Sequence, residues 1–513
     1  MTRLARFLTR DWLIALVCLG GMLWLCSRNI GFSNHYHADE SGKLDQLMTG
    51  RWNFNHPMLT LMGTRVLATL CRVSAQDDHG LVVCGRWLGV IFTSLAGALL
   101  VLAAHRLRGP WVAWGLVPLL WFHAKLFHYA HYLKEDPGLL LGICGAVFAA
   151  VCYFGKGRRK YLELAGLFCG LAASAKYIGV MVPLLFVAAL WLARPLAAAE
   201  AIRRGAATAR VLVVAGLVFV VVNAPMLGGL ATVRGSLGRE VGMATDTSKE
   251  RADRRALYLE HMTKPAQERL TYLLGAYLLL LVVPLRRPRN AGEFFALAFL
   301  GVYTATILLA PKTADRYLLP YYGLGTFFAM LGLGDLALLV SKIGKENRWA
   351  RAAAVAGSVV VLALAARDNR RLWRDERDLF ANFGGRLELA EFIRTHLPRD
   401  SHILYSVRVG LPDPTYPQQY PGVPFLPQKV EFSPSFRGFP TIASLRAAGV
   451  THVVLTGKEE DEGSESGASR DDPEFYRDLF GRGKTLWREK SLSARTAFPT
   501  ELILVELPPE EEK

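Results

Sequence analysis

Cysteine is scarce in this chain and stops early. Seven occur in 513 residues, at 18, 26, 71, 84, 144, 152 and 169, and none follows. All but Cys71 lie in apolar runs and none has metal-ligand spacing. That excludes a disulfide framework and leaves small buried hydrophobes. Nucleic-acid signatures are also missing: no aromatic-basic motif accompanies the net charge of +16. The Lys and Arg gather in short clusters between apolar runs, which suits anionic lipid headgroups rather than nucleic acid. No internal repeat is visible. The N-terminus is basic and then apolar but has no small-residue cleavage site, so an uncleaved first span is expected.

What is present is apolar and unevenly spread, 52% of residues being hydrophobic. That pattern belongs to a polytopic membrane protein with a soluble appendage. A hydrocarbon core of roughly 30 Å takes about 20 apolar residues per helix. Qualifying or nearly qualifying runs are Trp12–Ser27, Leu81–Ala104, Trp111–Phe127, Gly138–Phe154, Leu162–Ala175 and Ile178–Ala193. Five more are Val211–Leu227, Leu270–Leu285, Phe294–Ala310, Tyr317–Val340 and Ala352–Ala366, about eleven spans in all. The fifth and sixth are short and turn at Lys176-Tyr177.

The short connections Arg3–Arg10, His105–Arg108, Lys156–Lys160, Arg194–Arg210, Arg286–Arg289 and Lys342–Arg351 are basic with few acids. Positive charge in short loops marks the cytoplasmic side. The N-terminus is therefore expected inside. The Asn29–Gly80 loop, the His128–Asp136 loop, the longer Gly229–Arg269 loop and everything after Arg367 are expected outside. Within the first outer loop, Leu44, Leu47 and Met48 sit at helical spacing, as do Met58, Met62, Val66 and Leu70. These stripes predict two amphipathic helices on the bilayer surface. Residues 367–513 read as a small α/β domain. It has a helix at Leu387–His396 stopped by Pro398, and strands at His402–Val407, His452–Thr456 and Leu502–Leu507. The Pro-rich Leu411–Pro427 and the acidic Lys458–Asp472 are loops, and no catalytic motif stands out there.

Chemistry concentrates at the outer ends of the spans. The first loop carries Asp39-Glu40 flanked by His35 and His37, and continues to Asn55-His56-Pro57. Transfer of a group to a hydroxyl needs a base for the hydroxyl proton, and a carboxylate within hydrogen-bond reach serves. Partial burial near lipid raises its pKa and strengthens it. Asp39 is the candidate base, with Glu40 beside it. A second acidic site, Lys134-Glu135-Asp136-Pro137, starts the fourth span just after His128, Tyr129 and His131. As plain structure, Asp136 is an N-cap followed by Pro at N1. As chemistry, it faces the same cavity as Asp39. Lys176 interrupts two apolar runs, where a lysine is costly. Arg316 begins Arg316-Tyr317-Leu318-Leu319-Pro320. A phosphate leaving group needs cations, and Arg meets it with two N–H groups; the competing reading for Lys176 is snorkelling to the interface. His56, His131, Glu135 and Tyr317 are candidate substrate contacts. No cofactor is called for; the alternative is that the histidines hold a divalent cation, although no paired spacing on one helix face favours it.

Four segments together resemble the membrane-embedded C-type glycosyltransferases, specifically the dolichyl-phosphate-mannose–protein mannosyltransferase-like family with its bacterial aminoarabinose-transferring relatives. They are Ala38-Asp39-Glu40 with Asn55-His56-Pro57, His131-Tyr132-Leu133-Lys134-Glu135-Asp136, Gly166 through Lys176-Tyr177, and Arg316 through Pro320. The resemblance implies a polyprenyl-phosphate sugar donor, a lipid, glycan or protein acceptor, and a bacterial inner membrane setting. It matches Asp39 to the acid that activates the acceptor and Asp136, rather than Glu135, to the second-loop acid. Lys176 and Arg316 fall at positions suited to the donor phosphate. The chain departs from the family where Ser41-Gly42 follow the acidic pair and where Met58, not a second proline, follows Pro57. The sugar and the first-loop contacts are left open by those departures. A competing class is a transporter or lipid flippase, which would place its charges near the midplane and repeat its halves.

The expected orientation has a direct test. Cysteines placed after Arg367 should react with a membrane-impermeant maleimide in intact cells, and those placed in Arg194–Arg210 only after permeabilisation. The opposite pattern overturns it.

Overall fold

The computed structural model describes residues 10–31, 40–192, 198–245, 258–259, 262, 268–281, 290–310, 315–343, 348–381, 385–406, 409, 411–412, 424–433, 439, 441–457, 473–489 and 501–509. Asp39, with His35 and His37, lies outside them, as do most of Leu411–Pro427 and all of Lys458–Asp472. The contacts divide the chain into a helical unit ending at Trp373 and a second unit from Arg374 onward.

Every one of the expected apolar runs falls on a helix. The helices are α1 (Asp11–Cys26), α2 (Glu40–Thr49), α3 (Leu59–Leu70), α4 (Asp78–Arg108), α5 (Pro110–Trp121), α6 (Ala124–Ala130), α7 (Asp136–Lys156) and α8 (Lys160–Ala175). They continue with α9 (Met181–Leu192), α10 (Ala198–Val222), α11 (Leu230–Thr245), α12 (Glu268–Leu280), α13 (Ala291–Leu309), α14 (Leu319–Ile343) and α15 (Arg348–Ala381). By length and composition, five helices among the described residues can each cross a membrane, and several others are shorter and apolar. The protein is an integral membrane protein of this helical type.

Three details differ from the sequence reading. The run at 111–127 is broken at His123, whose ring nitrogen accepts the Leu126 N–H and so starts a new helix, α6. The last run does not stop at residue 366, because α15 continues through Arg367-Asp368-Asn369-Arg370 to Ala381. The first surface stripe packs inside the protein at Leu44 and Leu47 of α2 rather than lying on the bilayer surface. In α3 Leu59, Thr60, Leu61, Thr64 and Ala68 are buried, while Val66 and Leu70 of the second stripe remain outward, 59% and 74% exposed.

Glycines set the close approaches. A Cβ on Gly89 of α4 would lie 2.8 Å from the Ala130 carbonyl oxygen, and one on Gly85 would meet Leu133. Their absence lets the turn after α6 lie flat on α4. A Cβ on Gly142 of α7 would come within 2.5 Å of the Ala172 backbone nitrogen in α8. At the other end of α4 sits a buried ionic knot. Arg108 reaches Asp335 of α14 at 2.7 Å and Glu293 of α13 at 2.8 Å, and Tyr277 of α12 donates to Glu293 at 2.7 Å.

The second unit follows α15 with α16 (Arg386–His396), α17 (Ile442–Ala447), α18 (Pro473–Arg482) and strands β1 (His402–Ser406), β2 (Lys429–Ser433), β3 (His452–Thr456), β4 (Lys484–Arg488) and β5 (Leu502–Glu506). The sheet order is β2-β1-β3-β5-β4, parallel among β2, β1 and β3 and antiparallel from β3 through β5 to β4. Side chains alternate between the two faces. Leu404, Val453, Leu455, Ile503 and Val505 pack with Ile442, Leu445, Tyr476 and Leu479, whereas Ile403, Tyr405, Val454, Leu502 and Leu504 pack with Leu389 and Ile393 of α16. This is the expected α/β domain, with two edge strands, β2 and β4, that the sequence reading missed.

The glycine contact predicts a contrast. Gly142→Ala must push the α7 and α8 backbones apart and should lower stability by about 1–3 kcal/mol. Gly216→Ala in α10, where a Cβ meets nothing within 4 Å, should leave stability unchanged or slightly higher. Thermal unfolding in detergent reads both, and equal effects would contradict the packing.

Candidate functional site

The first loop is pinned to the bundle by a buried carboxylate. Glu40, at the start of α2, is fully buried and faces Arg86 of α4, with Nη2 at 3.2 Å and Nε at 3.3 Å. The Leu133 N–H donates to the same carboxylate at 2.6 Å, and Arg86 also reaches the Ile30 carbonyl at 3.5 Å. Inside a low-dielectric bundle neither charge tolerates loss of the other; an unpartnered buried ion costs about 3–5 kcal/mol. Glu40 thus holds three elements together beside Asp39.

One turn further along α2, Lys43 lies 2.9 Å from Glu135 and also donates to the Leu133 carbonyl at 3.0 Å. Asp136 is the first residue of α7 with Pro137 behind it, so the N-cap is Glu135 and not Asp136 as the sequence suggested, and no side chain caps the helix. Lys176 ends α8 in an extended conformation and forms an ion pair with Asp136. Its Nζ sits 4.5 Å from the centre of the Tyr317 ring, and the Arg316 guanidinium lies 5.3 Å from that centre. The Tyr303 hydroxyl donates to the Tyr317 carbonyl at 2.9 Å and fixes the turn that carries the ring. Segments separated by about 40 and 140 residues in the chain therefore meet at one aromatic ring.

His56 enters the same field. Burial holds its imidazole below the usual histidine range, helped by the charges of Lys176 and Lys43 and opposed by Glu135 and Glu240. Glu135 is held below the usual carboxylate range: burial pushes it up, but Lys43, His56 and Lys134 outweigh that. Burial pushes Lys134 down to about 7, aided by the Arg316 charge and opposed by Glu135 and Asp136.

Of the candidates read from the sequence, the structure gathers His56, Glu135, Asp136, Lys176, Arg316 and Tyr317. Asp39 lies outside the described residues. His131 is fully buried, with its ring nitrogens 2.7 Å from the Phe127 and Arg28 carbonyls, so its polar atoms are turned to backbone. Sequence reasoning passed over Lys43, Arg86 and the side chain of Lys134. Arg86 carried a signal: an arginine six residues into an apolar run needs a partner. Lys43 carried none, being an ordinary lysine on a polar helix. Among the described residues no group of three or more His, Cys, Asp or Glu could hold a metal ion.

Comparison with known proteins agrees with the architecture. Residues 74–228 match the family model described as dolichyl-phosphate-mannose-protein mannosyltransferase. That stretch contains the Lys134–Asp136 and Gly166–Tyr177 segments but neither the first-loop acids nor Arg316. No curated protein matches the sequence. Among solved structures, ArnT from Cupriavidus metallidurans bound to undecaprenyl phosphate has a TM-score of 0.52 at 14% identity, over 97% of this chain and 99% of that one. An oligosaccharyltransferase from Archaeoglobus fulgidus, in complex with Zn and sulfate, has a TM-score of 0.52 at 10% identity, over 91% of this chain and 71% of that one. AglB from the same organism, in complex with an inhibitory peptide and a dolichol-phosphate, has a TM-score of 0.51 at 10% identity, over 97% and 76%. The fold is that of the C-type glycosyltransferases, and the resemblance drawn from the sequence holds.

Lys134 generates a pH prediction. Its pKa falls from 10.5 to about 7 on folding, so between those values the unfolded chain binds more protons and stability rises with pH. Lys134→Gln lacks that slope. Relative to wild type the variant should gain most at pH 7 and least near pH 10, read as unfolding midpoints without ligand. A constant gap would show that Lys134 is solvated.

Proposed function

We propose that the protein transfers a monosaccharide from a polyprenyl-phosphate donor to an acceptor hydroxyl at the extracytoplasmic face of a bacterial inner membrane. The observation that carries the reading is the convergence of Asp136, Lys176, Arg316 and Tyr317 beside the loop that Glu40 pins. Two structures of similar fold hold polyprenyl phosphates, undecaprenyl phosphate in one and dolichol-phosphate in the other, which supports a lipid-linked donor.

In this reading the isoprenoid tail lies in lipid and the phosphate meets Arg316 and Lys176. Arg316 offers two parallel N–H groups to the phosphate oxygens. Asp136 keeps the Lys176 ammonium charged and aimed. Asp39 takes the acceptor O–H proton as the acceptor oxygen bonds to the anomeric carbon from the side opposite the phosphate. The anomeric C–O bond breaks, its electron pair leaves with the phosphate, and configuration inverts. Positive charge builds on the sugar ring in the transition state, as in glycoside hydrolysis. The growing negative charge on the phosphate is met by cations already in place. Glu40, held by Arg86, positions the adjacent Asp39. His56, Glu135 and Tyr317 line the space around the sugar.

Purified protein in nanodiscs, offered a panel of polyprenyl-phosphate monosaccharides with a crude acceptor extract, should release polyprenyl phosphate from one of them. Asp39→Asn should slow that release by roughly 10²–10⁴-fold, the usual worth of a general base. Arg316→Ala should raise the KM for donor and lower the rate. Full activity in Asp39→Asn removes the assigned base. Consumption of no donor by wild type turns the case to transport, to be measured in vesicles.

A further inference from the structure

The segment that carries His56 is held in an unusual way. Phe54 is buried and adopts φ +50°, a conformation uncommon for a residue with a side chain. Its carbonyl accepts the Tyr177 hydroxyl at 2.8 Å. Its ring packs against Gly229, where a Cβ would approach to 2.7 Å. Before it, the Asn53 carbonyl accepts the Ser236 hydroxyl of α11 at 2.5 Å. After it, the Met58 N–H donates to Asn223 Oδ1 at 2.7 Å.

Asn223 stands where α10 ends, before Ala224-Pro225, and is 2% exposed. Its amide is fully engaged. Nδ2 donates to the Ser174 hydroxyl at 3.0 Å and to the Phe219 carbonyl at 2.8 Å, which leaves Oδ1 pointed at the loop. Ser174 lies two residues before Lys176. A single amide thus links the His56 loop to the end of the helix that presents the Lys176–Asp136 pair. Met58 is also the position where the chain lacks the second proline of its resemblance. A proline has no N–H to give, so the contact to Asn223 exists because of that departure.

We propose that Asn223 is a positioning residue that sets the His56 imidazole beside Glu135 and the Lys176–Asp136 pair by capturing the Met58 N–H, with Tyr177 fixing the Phe54 carbonyl on the other side of the loop. The proposal rests on the reading of His56 as a substrate contact. Asn223 touches neither substrate nor His56. It acts through two bonds of loop backbone, and it ties the end of the seventh span to the ends of the first-loop and Lys176 segments. Misplacement of a substrate-contacting group by about 1 Å costs on the order of 10²-fold in rate, which sets the scale of the effect.

The test compares Asn223→Leu, Asn223→Asp, His56→Ala and the double variant Asn223→Leu/His56→Ala in the full chain. Asn223→Leu removes the acceptor. Asn223→Asp, neutral in a buried site, keeps an acceptor for Met58 and a donor for Ser174. Asn223→Leu and His56→Ala should each lower kcat on the order of 10²-fold with the donor KM within twofold. Asn223→Asp should stay within a fewfold of wild type, and the double variant should be no slower than His56→Ala alone. Multiplying losses would show independent sites and overturn the proposal, as would an Asn223→Asp variant as slow as Asn223→Leu. A second readout needs no turnover. Ethoxycarbonylation of His56 by diethyl pyrocarbonate, followed by mass spectrometry of its peptide, should be slow in wild type and several-fold faster in Asn223→Leu. If wild type consumes no polyprenyl-phosphate sugar, the functional reading fails while this labelling still judges the proposal. Equal labelling rates would sink it.

Discussion

A charge buried among apolar helices has to be met by an opposite one, and the described part of this site follows from that rule. Glu40 meets Arg86, Lys43 meets Glu135, and Lys176 meets Asp136. Each pair joins segments far apart in the chain, so the three act as stitches that fix the first loop, the turn before α7 and the end of α8. Such pairs add little net stability against an apolar core of equal volume, because desolvation offsets the Coulomb attraction. What they supply is geometry: two of them hold α2 against α4 and the turn before α7, and the third holds the start of α7 against the end of α8. The price in desolvation is consistent with a site whose groups must already be in place when charge develops.

The stitches need backbone that can come close enough. Gly85 and Gly89 leave room on α4 for the turn after α6, so the Leu133 N–H reaches Glu40 and the following Lys134, Glu135 and Asp136 fall at the mouth of the bundle. Pro137 then fits the first turn of α7, where a missing N–H does no harm. Tyr317 plays the matching part on the other wall. Its ring carries two cations, and its carbonyl is secured by Tyr303. Small residues, one proline and one aromatic ring thus turn a set of helix ends into a site.

Much of this was legible in the sequence, and for a physical reason. Apolar runs of spanning length have few alternatives to helix in lipid, so the helices were readable although not their ends: α10 begins well before Val211 and α15 runs well past Ala366. Asp136, Lys176 and Arg316 stood out because ionisable groups at the ends of such runs are costly without a task. Partners were not legible. Nothing local says that Glu40 faces Arg86, forty-six residues on, or that Asn223 answers Met58 across 165. The stripe at Leu44 and Leu47 misled because periodicity marks an apolar face, not whether lipid or protein covers it. Strands β2 and β4 escaped because edge strands carry charges that hide the alternation.

The knot at Arg108 bears on how the protein is made. Its two carboxylates, Glu293 and Asp335, come 185 and 227 residues later in the chain. During synthesis the end of α4 must therefore keep its guanidinium in water or among headgroups while six further spans are inserted. Only when α13 and α14 arrive can it be drawn into the bundle. The knot then works as a late checkpoint of biogenesis: a chain whose last spans fail to dock leaves an arginine and two acids without one another. That is a local defect at the end of α4 opposite the candidate site.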